Sequence, residues 1–376
     1  MWGDAAALVA SLALALPAVA RRLDERRVLG ARVAILAVAL GLGVVAPLGV
    51  LAAERVDGRV GSAQSEVNSV ESMGDRLGHG RSPYPTAAAI EAEAHRTGAG
   101  FKAYRPYEPA MAVFGLPRAW LGKHTLTDVR VMFLLVVALS LAAACSVTSM
   151  TPRDSIRGVQ LLAVLPPTAL TIATGGDDMP VIALCLLALA LASRRRWTAS
   201  GVAMGVGLAM KVIVAPLAVL LLVAAWRWRG EDHDDAPRPG WRRYALGAVG
   251  VPVVAMVPFV AWTPAAFFEN VVRYPLGLAR FHSSAASALP GHWITEHAAG
   301  GRTVAIILLF GVVATAAWWI ARRPARSVAD IATQCAVVLG GAILMLPASR
   351  FGYLLYPICL LGWARILNGN SARPVR

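Results

Sequence analysis

Apolar positions come in long runs along the chain, and polar positions come in bursts between them. The runs fall near residues 5–20, 33–53, 131–147, 159–173, 179–193, 198–210, 212–226, 244–262, 303–321, 328–347 and 351–367. A straight membrane crossing needs about 20 residues to traverse about 30 Å of hydrocarbon. Several runs are shorter, so they need tilt and packing against neighbours. The pattern predicts an all-α, polytopic integral membrane protein with about eleven membrane segments. A single membrane domain over 1–376 is expected, with a long first outer loop at 54–130, a cytoplasmic loop at 227–243 and a second outer loop at 263–302.

The polar bursts set the orientation. Arg21–Arg32, Arg153–Arg157, Arg194 to Arg196, Arg227–Arg243 and Arg322–Arg326 are short basic connections, and short basic loops stay in the cytoplasm. Residues 198–226 test this rule, because Lys211 lies near their middle and Pro216 just after. As one helix they would run about 44 Å, too long for one crossing at ~1.5 Å per residue. Basic clusters flank both ends, so a hairpin of two short helices with Lys211 at its tip is expected. The outer face then receives loop 54–130, the Gly175-Gly176-Asp177-Asp178 turn, Lys211, loop 263–302 and the Ser349-Arg350-Phe351 turn. The first run ends in an Ala18-Val19-Ala20 pattern, but its arginines follow it rather than precede it. That is the reverse of a signal peptide. A retained helix is expected, in a multi-pass plasma-membrane protein with its N-terminus outside and its C-terminus in the cytoplasm.

Composition agrees with this picture. The chain is 57% hydrophobic and 15% charged, against about 25% charged in soluble domains. The net charge of +14 is almost all arginine, the lysines being Lys102, Lys123 and Lys211. In a soluble protein that excess would suggest nucleic acid. Here the arginines sit between apolar runs and serve topology, so the expected partner is the lipid bilayer and no nucleic acid. Cys145, Cys185, Cys335 and Cys359 all lie inside apolar runs without metal-ligand spacing. They read as buried free thiols, with no disulfide framework or zinc site. Acids and His233 in the 230–240 loop read as a solvated connector.

Candidate chemistry gathers on the outer side. Val67, Val70, Met73 and Leu77 recur at helical spacing, which predicts an amphipathic helix over 64–79 lying at the membrane surface. Tyr84, Tyr104 and Arg105 belong to aromatic, proline-rich stretches that suit interfacial anchoring or contact with a sugar or phosphate. Asp177 and Asp178 sit between two apolar runs, where ionised groups are costly. They suit helix capping, substrate contact or a shared divalent cation. Lys211 suits either a snorkelling hairpin tip or anion binding. Arg350, at an outer helix mouth beside Tyr353, points to an anion. His282 and His292 are loop residues that also suit phosphate stabilisation. Gly201 and Gly205 form a close helix-packing face.

The ordered motifs resemble glycosyltransferase family 87, enzymes of the GT-C membrane fold. The resemblance covers about residues 54–367. It runs through Gly80-x-x-Pro83-Tyr84, Tyr104-x-Pro106, Gly176-Asp177-Asp178-Met179-Pro180, and Gly201-x-x-x-Gly205-x-Gly207-x-x-x-Lys211. It continues through Glu269-Asn270-Val271-Val272-x-Tyr274-Pro275, Ala288-Leu289-Pro290-Gly291-His292 and Arg350-Phe351-Gly352-Tyr353. The resemblance implies transfer of a sugar, commonly mannose or arabinofuranose, from a polyprenyl-phosphate donor to a cell-envelope glycan or glycolipid on the outer face. It also implies a catalytic acid about fourteen residues before the Gly80 motif, a count that reaches Glu66. The family's usual residue there is Asp, with an aromatic four positions on, where this chain has Val70. Asp57, immediately past the preceding helix, is the alternative base. Arg350, Lys211 and Arg105 are the cations expected at the departing phosphate, with Asp177, Asp178, Tyr84, Tyr104, His282 and His292 as further substrate contacts. No organic cofactor is expected; a divalent cation at the paired aspartates stays open. Two other functions fit the same composition: a transporter or flippase for a lipid-linked or anionic substrate, and a membrane scaffold. A transporter predicts related halves and midplane charges; no repeat is visible, and the charges lie at helix ends.

Overall fold

A computed structural model describes residues 24–59, 63–228, 239–281, 283 and 285–371. The expected first helix at 5–20, His282 and most of the 227–243 loop lie outside the described residues. The ten other apolar runs are all helical. Helix α1 (Glu25–Val56) carries a π-helical stretch at Gly41–Val45. The long loop follows, with α2 (Ser65–Gly78), α3 (Ala87–Thr97), a 3-10 segment at Pro109–Gly115 and α4 (Leu116–Leu121). Next come α5 (Val129–Val147), α6 (Pro152–Val164) and α7 (Pro166–Thr174), the last two bent by 56°. The bend falls at Pro166-Pro167, whose missing N–H groups cannot continue the α6 ladder. Then come α8 (Asp178–Ser193), α9 (Trp197–Met210), α10 (Val212–Arg227) and α11 (Gly240–Trp262). A π-helical turn at Phe268–Arg273 and α12 (Pro290–His297) occupy the second loop. Helices α13 (Gly301–Arg322), α14 (Val328–Met345) and α15 (Leu355–Ser371) close the chain, with a 3-10 turn at Phe351–Leu354 before α15.

Five of these helices are long and apolar enough to cross a membrane: α1, α5, α11, α13 and α14. The bent α6–α7 pair makes a sixth if taken as one span. Helices α8, α9 and α10 are apolar but shorter. Among the described residues, length alone therefore accounts for fewer crossings than the ten apolar runs found there. In α11 and α13 only 11% of the apolar window is buried, which leaves their faces to lipid. Helix α8 is the opposite case. It is apolar all round and buried along nearly its whole length, as a central helix must be.

The hairpin expected around Lys211 is present. The Arg195 guanidinium lies over both Trp197 and Trp228, at 5.9 and 4.7 Å, which brings the two ends of the α9–α10 pair together. Lys211 is at the far end, where the backbone turns extended between the two helices. The glycine face of α9 packs on α11. A Cβ on Gly201 would lie 2.1 Å from the Tyr244 carbonyl oxygen, and one on Gly205 would lie 2.3 Å from that of Gly247. Only glycine permits that approach.

Candidate active site

Two contacts bring the long loop onto the Asp177 turn. The Gln64 backbone N–H donates to the Thr174 carbonyl at 2.9 Å, and Gln64 Nε2 donates to Thr174 Oγ1 at 2.8 Å. Gly175 then turns the chain with a φ of +91°, a conformation that favours glycine. A Cβ there would meet Val67 Cγ2 at 2.3 Å, so α2 and the turn lie in direct contact. The register of α2 puts Val67, Val70 and Met73 into the protein core at 0% exposure. The expected surface helix is thus real, but its apolar stripe packs on the protein and not on lipid. Its backbone also meets the 3-10 segment closely, since a Cβ on Gly74 would lie 2.3 Å from Gly115. A buried charge network pins the other side of α2. Arg55 binds both oxygens of Glu71 at 2.9 and 2.8 Å and Asp128 at 2.7 Å, and Arg130 pairs with Asp128 at 2.8 Å.

With α2 fixed, Glu66 is buried and ion-paired with Arg350. Arg350 comes from a loop whose backbone is itself held. Ser287 N–H donates to the Ser349 carbonyl at 3.0 Å, and Phe351 N–H donates to Ser287 Oγ at 3.0 Å. Beside this pair, Lys211 Nζ donates to Asp177 Oδ1 at 2.7 Å and to Asp178 Oδ1 at 2.6 Å. Tyr356 O–H donates to Asp178 Oδ1 at 2.9 Å. The Lys211 ammonium lies 5.5 Å from the Tyr107 ring centre and 5.8 Å from that of Tyr353, within cation–π range. Glu108 accepts the Val212 N–H at 3.1 Å, which ties the long loop to the hairpin tip.

Electrostatics follow from burial. Burial pushes the Asp177 carboxyl above the usual carboxylate range, against the opposing Lys211 charge and with help from Asp178 and Glu66. Its Oδ2 is buried and has no hydrogen-bond partner among the described residues. Burial likewise pushes Glu108 up to about 7. Burial alone would lower Lys211, but Asp177 and Asp178 outweigh it and hold the ammonium above its ordinary value.

The sequence-based candidates thus separate. Glu66, Asp177, Asp178, Lys211 and Arg350 converge on one cluster. Asp57 is exposed at the end of α1 with no ion pair to that cluster among the described residues. Asp177 occupies the cap position of α8, yet its side chain makes no capping hydrogen bond. Capping is therefore corrected to ion pairing. Lys211 does not snorkel; it is bridged between two carboxylates. Tyr84 is buried and donates from its O–H to the Tyr107 carbonyl at 2.8 Å, so it fixes the backbone of a cluster residue. Tyr104 stacks on Tyr274 at 4.1 Å, and the Arg105 side chain caps the carbonyls of residues 102 to 104 at 2.9 Å each. His292 bonds the Pro347 carbonyl at 3.0 Å, near the Arg350 loop. The sequence reading missed Tyr107, Glu108, Tyr353 and Tyr356 as cluster members. All four lie within or beside quoted motifs, and that adjacency was the available signal.

Among the described residues, no group of three or more His, Cys, Asp or Glu is placed to hold a metal ion. The two carboxylates that a divalent cation would share instead share the Lys211 ammonium. The donor set does not fit a metal here.

A bundle of apolar helices, with a charged cluster where two long loops meet the helix ends, defines a multi-pass membrane protein, and the family and fold matches that follow make its fold GT-C. The model of glycosyltransferase family 87 matches residues 106–349, and the chain belongs to that family. The fold is similar to that of ArnT from Cupriavidus metallidurans bound to undecaprenyl phosphate, with a TM-score of 0.54 at 18% identity. That match covers 91% of this chain and 60% of the ArnT chain, so this chain spans less than two thirds of its neighbour's length. The apo state of the same ArnT matches at 16% identity and a TM-score of 0.45, covering 82% of this chain and 58% of that one. No curated protein matches the sequence.

Proposed function

We propose that the protein is a membrane glycosyltransferase that moves a pentose or hexose, mannose among them, from a polyprenyl-phosphate donor to a glycan or glycolipid of the cell envelope. The long-loop face is its outer face. The observation that carries this reading is the convergence of Glu66, Arg350, Lys211, Asp177 and Asp178 at helix ends, in a chain of family 87. Similarity to a fold that holds undecaprenyl phosphate in ArnT supports the donor class.

The roles follow from charge. Glu66 takes the proton of the acceptor hydroxyl as its oxygen attacks the anomeric carbon. General base help of this kind contributes roughly 10²–10⁴ in rate. Arg350 receives the departing lipid phosphate, since a guanidinium matches two phosphate oxygens at once. Lys211 holds the two aspartates as a unit, and the unpartnered Asp177 Oδ2 receives a sugar hydroxyl. Attack opposite the leaving phosphate inverts the anomeric centre.

The test is transfer of a labelled sugar from a polyprenyl-phosphate donor by purified protein in lipid vesicles. Product with inverted anomeric configuration is expected. Transmembrane movement of the intact donor without sugar transfer would replace this reading with transport.

A further inference from the structure

The cluster sets four carboxyl groups, on Glu66, Glu108, Asp177 and Asp178, against two cations, Lys211 and Arg350. Both aspartates already share Lys211. Among the described residues, Arg350 donates its side-chain hydrogen bond to Glu66 alone. The Arg350 side chain is 39% exposed and that of Glu66 10%, so the pair opens to its surroundings on the arginine side. An anion approaching this cluster therefore meets Arg350 first. It also meets Glu66 on the same guanidinium, and that like charge repels it.

From this geometry we infer that Glu66 and a lipid phosphate exchange places on Arg350. A phosphate that takes the guanidinium turns Glu66 out of its ion pair and frees Oε1. That oxygen then accepts the acceptor's proton more readily than it does while it holds Arg350, whose charge favours the ionised carboxylate. Donor binding and exposure of the base become one event, and a sugar acceptor arriving alone meets a carboxylate already engaged. The inference rests on the reading of Arg350 as the phosphate contact. The groups facing the exchange are Ser65 and Tyr107 from the long loop, Asp177 from the turn before α8, Tyr274 from the second loop and Tyr353 from the turn before α15.

Titration of the detergent-solubilised protein with farnesyl monophosphate, followed by tryptophan fluorescence, tests the exchange by sign. Glu66→Gln is expected to bind about two- to fivefold tighter than wild type, the amount a partly exposed ion pair withholds. Arg350→Gln is expected to bind at least tenfold weaker. In the double variant, the gain from Glu66→Gln is expected to vanish. If Glu66→Gln tightens binding equally with and without Arg350, simple repulsion operates and the exchange is wrong. If Arg350→Gln weakens binding while Glu66→Gln does nothing, the exchange fails and the phosphate reading stands. If Arg350→Gln binds as wild type does, both fail. Thermal midpoints are measured alongside, and Glu66→Ala replaces Glu66→Gln if the latter does not fold.

Discussion

Lys211 decides whether the cluster is stable. Two adjacent carboxylates with one ammonium form a buried triad, and removing the cation leaves uncompensated charge. Breaking a buried pair in this way costs about 3–5 kcal/mol. Lys211→Met is therefore expected to lower the thermal midpoint strongly in detergent, and Lys211→Met with Asp177→Asn and Asp178→Asn to recover most of it. Glu108 makes a second prediction through pH. Its carboxyl rises from an ordinary 4.5 to about 7 in the folded protein, so the fold prefers it protonated. Its contribution is complete below about 4.5 and is lost as pH rises through about 7. Glu108→Gln keeps an acceptor for the Val212 N–H and removes the charge. Its thermal midpoint should accordingly vary less than wild type's between pH 5 and pH 8. The paired aspartates, Lys211 and Arg350 were legible in the sequence because each breaks an apolar or topological pattern, whereas Glu66 was reached only through the count back from Gly80 that the family resemblance implies. Glu108 was not legible, because a hydrogen bond to Val212, 104 residues away, leaves no local periodicity, and neither does the placing of the Tyr107 ring against Lys211.

At the scale of elements, glycine sets how closely helices approach, and that distance places the hairpin tip. Helix α9 meets α11 through Gly201 and Gly205 on one side and Gly247 on the other. Gly205→Val would drive a side chain into the Gly247 backbone, displacing α9 and with it Lys211. Reduced thermal stability and reduced sugar transfer are both expected, and a normal midpoint with full activity would contradict this packing. Helix positions were readable along the chain because apolar runs and Pro or Gly breaks are local signals. The orientation of α2 was only half readable. Its spacing gave the apolar stripe, but lipid and protein are equally good partners for Val67, Val70 and Met73 in sequence. The contact with Gly175 decides for protein.

For the whole molecule, the Arg194–Arg196 turn and the charged cluster lie at opposite ends of α8. Arg194 donates to the Thr148 carbonyl at 2.6 Å at one end, and Asp177 meets Lys211 at the other. A cysteine replacing exposed His95 on α3 is expected to react with an impermeant maleimide from outside the cell. One replacing Arg323 should react only after permeabilisation. Reversed labelling would invert the proposed orientation. The central claim is sugar transfer with Glu66 as its base, and one comparison tests it most directly. Wild type, Glu66→Gln and Asp57→Asn are assayed side by side in lipid vesicles with a labelled polyprenyl-phosphate sugar. Transfer by wild type and by Asp57→Asn, with loss of roughly 10²–10⁴ in Glu66→Gln, is the predicted result. Full transfer by Glu66→Gln would contradict it.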